Sequence, residues 1–311
     1  MPGIGVVVNP QARGNRRRSQ RVRRMAEILG DDGEVWAPEA VATLTDVASE
    51  IRARRLDVLA VCGGDGSIFR ALSALIPVYG DEPLPAVLPL RAGTINFVAA
   101  AIGCRRGAPE KVLAHVVRNQ RRGIAPDTVE RDLLCVNGGV YGFMLGCGAV
   151  VNFLRAYYGQ PGAGPLAAIR LLARVVVSGV LGTSFARGIV QPVEADVMCD
   201  EERVPFRLFT VVLAGTVDRV ALGFRPTYLA NRKRGYLHLV GGPMGAWEFL
   251  RCCRRLRRGF PTEEPTLYDN LAREVTIRFA RPAPYMIDGD VLDSVSELHV
   301  ATGPRVSMIR G

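Results

Sequence analysis

Lysine is almost missing from this 311-residue chain, where Lys111 and Lys233 stand against 38 arginines. No GxxxxGK[ST] run occurs and no GxGxxG, which argues against a Walker-type phosphate site and against a Rossmann dinucleotide site. Histidine is equally scarce. His115, His238 and His299 are scattered, with no HExxH and no nearby cysteine cluster, so a zinc site or a His-based triad is not expected and each reads as structural. Seven cysteines form no CxxC pair, and their odd number argues against a complete disulfide framework. A reducing cytoplasm fits that pattern. The adjacent Cys252 and Cys253 could be acylated but read more simply as buried thiols.

Long apolar runs are also lacking. "MPGIGVVV" has neither the basic start nor the length of a signal peptide, so it reads as a first strand in a protein expected to begin near Met1. The segment 164–185 is apolar, yet Arg170 and Arg174 interrupt it. It is expected to be a helix of a second domain that packs in a core, lines a lipid slot or rests on a bilayer, and not a membrane span.

What is abundant is positive charge, a formal +10. It concentrates in "RGNRRRSQRVRR" (13–24) and "RCCRRLRRGF" (251–260). Such runs suit phosphates or an anionic membrane surface, or are simply solvated faces. No RNP, KH or zinc-finger signature accompanies them, so a nucleic-acid partner is not expected.

The first third alternates apolar runs with helical patterns. Strands are expected at 4–9, at "EVWA", at 57–62 and at 86–90, with helices at 19–29, 45–54 and 68–75, which is the rhythm of βαβ units and a parallel sheet. After Ala125-Pro126 the texture changes to short β-like runs between Gly, Asn, Asp and Pro turns, expected to form an antiparallel β domain.

Between the third strand and its helix lies Gly63-Gly64-Asp65-Gly66-Ser67. A turn there exposes backbone N–H groups at the positive end of the helix dipole, and glycines allow close approach and a positive φ. Asp65 would repel a bare phosphate unless a divalent cation intervened. It could instead accept a proton from an attacking hydroxyl, or simply cap the helix.

This loop resembles the GGDGT/S phosphate loop of the diacylglycerol kinase catalytic family, which includes sphingosine and ceramide kinases and is related more remotely to NAD kinases. Three further elements match in order. Asn9-Pro10-Gln11-Ala12-Arg13-Gly14 is similar to the family's NPxAG element, "LPLRAGTINF" (88–97) to its PxGTxND segment, and "IDGD" (287–290) to its DGE element. The resemblance implies an α/β chain of two lobes: an N-terminal parallel-sheet nucleotide-binding lobe and a C-terminal antiparallel β-sandwich lobe for the lipid, with the active site in the cleft between them and the extreme C-terminus returning to the first lobe. The corresponding boundaries are 1–125, 126–285 and 286–311. It implies further that Gly63, Gly64, Asp65, Gly66 and Ser67 cradle the ATP phosphates with Asn9, Gly93, Thr94 and Asn96, that Mg²⁺ accompanies the nucleotide with Asp65 as its candidate ligand and a candidate catalytic carboxylate, and that Asp290 is the general base. The implied activity is ATP-dependent phosphorylation of a lipid primary hydroxyl, diacylglycerol first and ceramide or a sphingoid base next, by a cytoplasmic protein peripheral to the membrane. A NAD kinase-like enzyme and a non-catalytic nucleotide or lipid binder are the alternatives.

The chain departs from the family pattern at several places. Asp290 stands for Glu, Phe97 for the Asp of GTxND, and Arg91-Ala92 lengthen that loop, making Arg91 a candidate charge clamp on phosphate. Arg234 precedes Gly235 where many bacterial relatives carry an acidic residue of a structural Mg²⁺ site. That second metal is therefore expected to be absent. Elemental analysis of the nucleotide-free protein should find no stoichiometric Mg²⁺ or Ca²⁺, and one tightly bound ion would refute the expectation.

Overall fold

The computed structural model describes residues 3–12, 15, 18–38, 40–160 and 164–311. Arg13 and Gly14 of the NPxAG-like element, and Arg16 and Arg17 of the first arginine run, lie outside the described residues. The chain divides into two compact units. The first comprises the residues up to Arg131 with Gly139–Tyr141 and Arg305–Gly311, and the second comprises Asp132–Gly138 and Gly142–Pro304.

In the first unit, β1 (Ile4–Val8), α1 (Arg18–Leu29), β2 (Gly33–Trp36), α2 (Leu44–Ala53), β3 (Val58–Gly63), α3 (Asp65–Tyr79), β4 (Ala86–Arg91), α4 (Phe97–Ala101) and α5 (Pro109–Arg121) follow in order. The strands are near-continuous Val, Ile, Leu and Ala runs, as a parallel sheet covered on both faces demands. β1 pairs in parallel with both β2 and β3, and β3 with β4. Alternation along the strands then assigns the faces. Ile4, Val6, Val8, Val58, Ala60, Cys62, Leu88 and Leu90 meet Met25 and Leu29 of α1 and Val112, Leu113, Val116 and Val117 of α5 in one buried cluster.

β6 (Val140–Gly142) lies mostly in the first unit, and the second unit holds most of β5 (Thr128–Val136), β7 (Met144–Gly148), α6 (Ala149–Tyr158), α7 (Pro165–Val180), α8 (Ser184–Ile189), β8 (Val193–Cys199), β9 (Glu202–Arg203), β10 (Leu208–Phe209), β11 (Val211–Gly215), β12 (Leu237–Gly242), α9 (Ala246–Arg258), β13 (Tyr268–Ala272), β14 (Glu274–Ile287) and most of β15 (Asp290–Ile309). Antiparallel pairing runs β13–β12–β11–β7–β14. β14 serves two neighbours at once: Val275–Phe279 pairs with β8, and Tyr285–Ile287 pairs with β7. Between those stretches Pro282 and Pro284 supply no N–H, and the register against β15 shifts there.

His238 is wholly buried, its Nδ1 accepting the Leu229 N–H at 3.3 Å while Nε2 faces Asp269 Oδ1 at 2.6 Å. Nε2 therefore carries the proton. The second Asp269 oxygen accepts the Tyr228 hydroxyl at 3.2 Å, so His238 has the structural role expected of it. Beside Arg234, the Gly235 N–H donates to Asp132 Oδ2 at 2.9 Å, and Thr302 Oγ1 donates to the Gly235 carbonyl.

The C-terminal return is shorter than the expected 286–311, because the first fifteen residues of β15 stay with β14 in the second unit. Only Arg305–Gly311 joins the first unit, where Met308 pairs in parallel with Val87 of β4 and Ile309 enters the core cluster. The Ile309 carbonyl accepts the Cys104 thiol at 3.3 Å, and the Arg310 carbonyl accepts the Arg105 N–H. Deleting Val306–Gly311 strips β4 of an edge partner and opens a cavity at Ile309. Losing such buried side chains costs about 2–5 kcal/mol each, so differential scanning calorimetry should show the first unit melting earlier while the second melts nearly as before.

Candidate active site

In the first unit the carboxyl ends of β1, β3 and β4 bring three loops together. Gly64 is the extended residue before α3, and Asp65 is the first residue of that helix. Its carboxylate turns away from solvent toward the next loop. Oδ2 accepts the Phe97 N–H at 3.0 Å and Oδ1 the Val98 N–H at 2.9 Å, so Asp65 supplies the cap that the start of α4 needs. Asp65 is only 7% exposed. Burial lifts its pKa to about 6, and amide hydrogens from Val98, Phe97, its own residue and Asn96 pull it back only in part.

The glycines make this contact possible by close approach and not by left-handed backbone. None of Gly63, Gly64, Gly66 and Gly93 has a positive φ, which corrects the expectation from sequence. A Cβ on Gly93 would lie 2.3 Å from the Gly64 Cα, and one on Gly63 would lie 2.2 Å from Ser67 Oγ. The left-handed residue is Asn96, at φ 52°, a conformation that asparagine tolerates. Its side chain closes the loop on itself: Oδ1 accepts the Gly93 N–H at 3.0 Å and Nδ2 donates to the Gly93 carbonyl at 2.8 Å.

Asn9 ties in the first strand. Its Nδ2 donates to Ser67 Oγ at 2.7 Å, its Oδ1 accepts the Gln11 N–H, and its own N–H donates to the Cys62 carbonyl. Beneath it lies Asn15, which the sequence reading passed over. Asn15 is 1% exposed, donates to the Asn9 and Cys62 carbonyls, and accepts from Arg21, whose Nε meets Glu110 at 2.8 Å. A buried asparagine five residues after an NP dipeptide was its only signal.

Arg91, the expected clamp, is already engaged through one guanidinium nitrogen. Its guanidinium donates to the Ala99 and Cys104 carbonyls at 3.0 and 2.9 Å, completing the C-terminal end of α4. Partial burial lowers its pKa. Thr94 is half-buried within the same loop. Asn9, Gly63, Gly64, Ser67, Gly93 and Asn96 are therefore joined by direct contacts, with Asp65 as the hub.

In the second unit, Asp288 and Gly289 make a two-residue hairpin turn between β14 and β15, with φ 48° and 92°, the pattern of a type I′ turn. Asp288 is 1% exposed, and its carboxylate accepts the Phe143 and Met144 N–H groups at 3.0 and 2.8 Å. The Asp288 N–H returns to the Met144 carbonyl, and the Tyr158 hydroxyl donates to the Gly289 carbonyl. This turn is pinned, and Asp290, half-buried, opens β15 opposite Ile287. Sequence had singled out Asp290 but given Asp288 no task.

Residues 3–127 match the family model of the diacylglycerol kinase catalytic domain. The match makes this segment similar to a diacylglycerol kinase catalytic domain. Its glycine loops and the asparagines that brace them fall inside the matched range. No curated protein matches the chain in sequence. Among solved structures, the whole fold is similar to a diacylglycerol kinase from Bacillus anthracis str. Sterne, with a TM-score of 0.64 at 15% identity over 99% of this chain and 96% of that one. A second structure, described as a diacylglycerol kinase from the same organism, gives 0.69 at 16% identity over the same shares of the two chains. The catalytic domain supports a kinase acting on lipid. Among the described residues no three His, Cys, Asp or Glu side chains converge as a metal site. The start of α3 suits an anion, because the missing Cβ of Gly93 lets its backbone approach that of Gly64 at the helix N-terminus.

Asp65 gives this site a pH signature. Its folded pKa lies above the unfolded value of 3.8. Its stabilising contribution is thus complete below about 3.8 and is lost as the pH rises through about 6. Urea denaturation should show the wild type losing stability relative to Asp65→Asn over that window, by about 2–3 kcal/mol. Parallel pH curves for the two proteins would refute it.

Proposed function

We propose that this protein transfers the γ-phosphate of ATP to the primary hydroxyl of a membrane lipid, diacylglycerol foremost, with ceramide or a sphingoid base as the nearest rivals. The observation that supports the reading is the clamp of Asp65 onto Phe97 and Val98, which sets two glycine loops side by side at the start of α3 within a diacylglycerol kinase catalytic domain. Backbone amides there receive the phosphates, assisted by Asn9, Ser67, Thr94 and Asn96. Electrostatic positioning of this kind carries most of the catalysis in phosphoryl transfer. Mg²⁺ bound with the nucleotide supplies neutralisation of the charge that builds on the phosphate oxygens.

Asp65 we assign to positioning, since both of its oxygens already accept amide hydrogens. The general base is Asp290. It takes the proton from the lipid hydroxyl as the new O–P bond forms and the bond to ADP breaks. Asp288, fixed by Phe143 and Met144, holds the turn from which Asp290 works. No described helix is long and apolar enough to cross a membrane, so the lipid is taken from a bilayer surface.

The test is transfer from labelled ATP to diacylglycerol, ceramide, a sphingoid base and NAD, followed by mass spectrometry of the product. Asp290→Asn should lower turnover by about 10²–10⁴-fold with little change in the KM for ATP. Phosphorylation of NAD alone would reject the lipid reading. An active Asp290→Asn beside an inactive, folded Asp288→Asn would move the base to Asp288.

A further inference from the structure

Large apolar side chains are seldom left in water without a use when they gather on one surface. Ten stand exposed among the described residues, and seven of them belong to two helices of the second unit. On α7 and at its end these are Leu166, Ile169, Val177 and Leu181, between 51% and 70% exposed. On α9 and just beyond it are Trp247, Leu250 and Phe260. The helical spacing matters: Leu166, Ile169, Ala173 and Val177 recur every three or four residues along one exposed stripe of α7, and Trp247, Leu250 and Arg254 do so on α9.

The two helices touch. A Cβ on Gly179 would lie 2.4 Å from the Ala246 Cβ, so the glycine lets α7 and α9 meet there. Val177, Leu181 and Trp247 all lie within two residues of that crossing. The expectation that α7 packs in a core holds only for its other face, where Ala168, Leu171 and Val175 are buried.

The charge on the same helices is one-sided. α7 carries Arg170 and Arg174 and no acid, while α9 carries five arginines and only Glu248. Arg251 and Arg255 are paired with Glu264 and Glu263. Arg170, Arg254 and Arg258 are exposed and have no carboxylate partner among the described residues. Arg174 stacks over the Phe185 ring at 4.0 Å, keeping its charge at the apolar edge.

We propose that the α7–α9 face is a docking surface for an anionic phospholipid bilayer, its apolar side chains dipping among the acyl chains and its unpaired arginines meeting lipid phosphates. A protein partner would need a matching apolar surface lined with acids, whereas a bilayer carrying anionic lipid offers both features at once. The proposal rests on the lipid-kinase reading for its purpose, but not for its test.

Trp36 and Trp247 are the two tryptophans, so a Trp36→Phe protein reports from Trp247 alone. With phosphatidylcholine vesicles containing about 30 mol% phosphatidylglycerol, a fraction chosen to give a strong surface potential, Trp247 emission should shift to the blue and be quenched by brominated acyl chains. In co-sedimentation, Leu166→Ser/Val177→Ser/Leu181→Ser should weaken partition by about tenfold or more, and each of Arg170→Gln, Arg254→Gln and Arg258→Gln by about fivefold at low salt. The triple serine variant should still phosphorylate a detergent-dispersed lipid at the wild-type rate, because none of its changes touches the site described above. Unshifted Trp247 emission, or unchanged partition of the serine variant, overturns the proposal. So does a stable dimer that the serine changes convert to monomer, since a second copy would then cover the face. Vesicle binding that survives while no lipid is phosphorylated would refute the kinase reading and leave the surface standing.

Discussion

Everything proposed for the nucleotide site depends on one carboxylate spanning two loops. Asp65 begins α3 and caps α4, so the loop after β3 and the loop after β4 cannot move apart without leaving the Phe97 and Val98 amides unpaired in a buried place. Burial raises the cost of the charge, and the amides are what make it tolerable. Gly93 is a consequence of this clamp, since loops drawn this close leave no volume for a Cβ there and little for one on Gly64. Asn9 and Asn15 extend the same bracing to the end of β1.

The turn at Asp288 repeats the device in the second unit. There too an aspartate spends its oxygens on two consecutive backbone amides. In both places a buried acid organises the backbone around it. Arg91 likewise organises backbone, one of its guanidinium nitrogens donating to two carbonyls at the end of α4.

Much of the first unit was legible because its signals are local. Apolar strands alternating with amphipathic helices gave the parallel sheet, and Gly63–Ser67 fell at the strand-to-helix turn where backbone amides cluster. The roles of single polar residues were less legible. Asp65 invited a metal or a proton because its amide partners lie 32 and 33 residues away, beyond any local pattern. Arg91 looked free to meet phosphate because a sequence does not show which carbonyls a helix of five residues leaves exposed at its end. The C-terminal return was misjudged in length for a related reason: a strand of twenty residues changes neighbours part-way along, and nothing in its composition marks the place.

That long strand also fixes the order in which the molecule can be completed. The parallel sheet of the first unit receives its last strand from residues made long after β4, as the thiol of Cys104 meeting the Ile309 carbonyl attests, 205 positions apart in sequence. On a ribosome the unit that emerges first must therefore wait, its β4 edge unfinished, until Met308 and its neighbours have been made. Contacts of such range slow folding, and an open parallel edge invites wrong partners meanwhile. Residues 305–309 thus act as a timing device: the sheet of the first unit closes only after the second unit has been made.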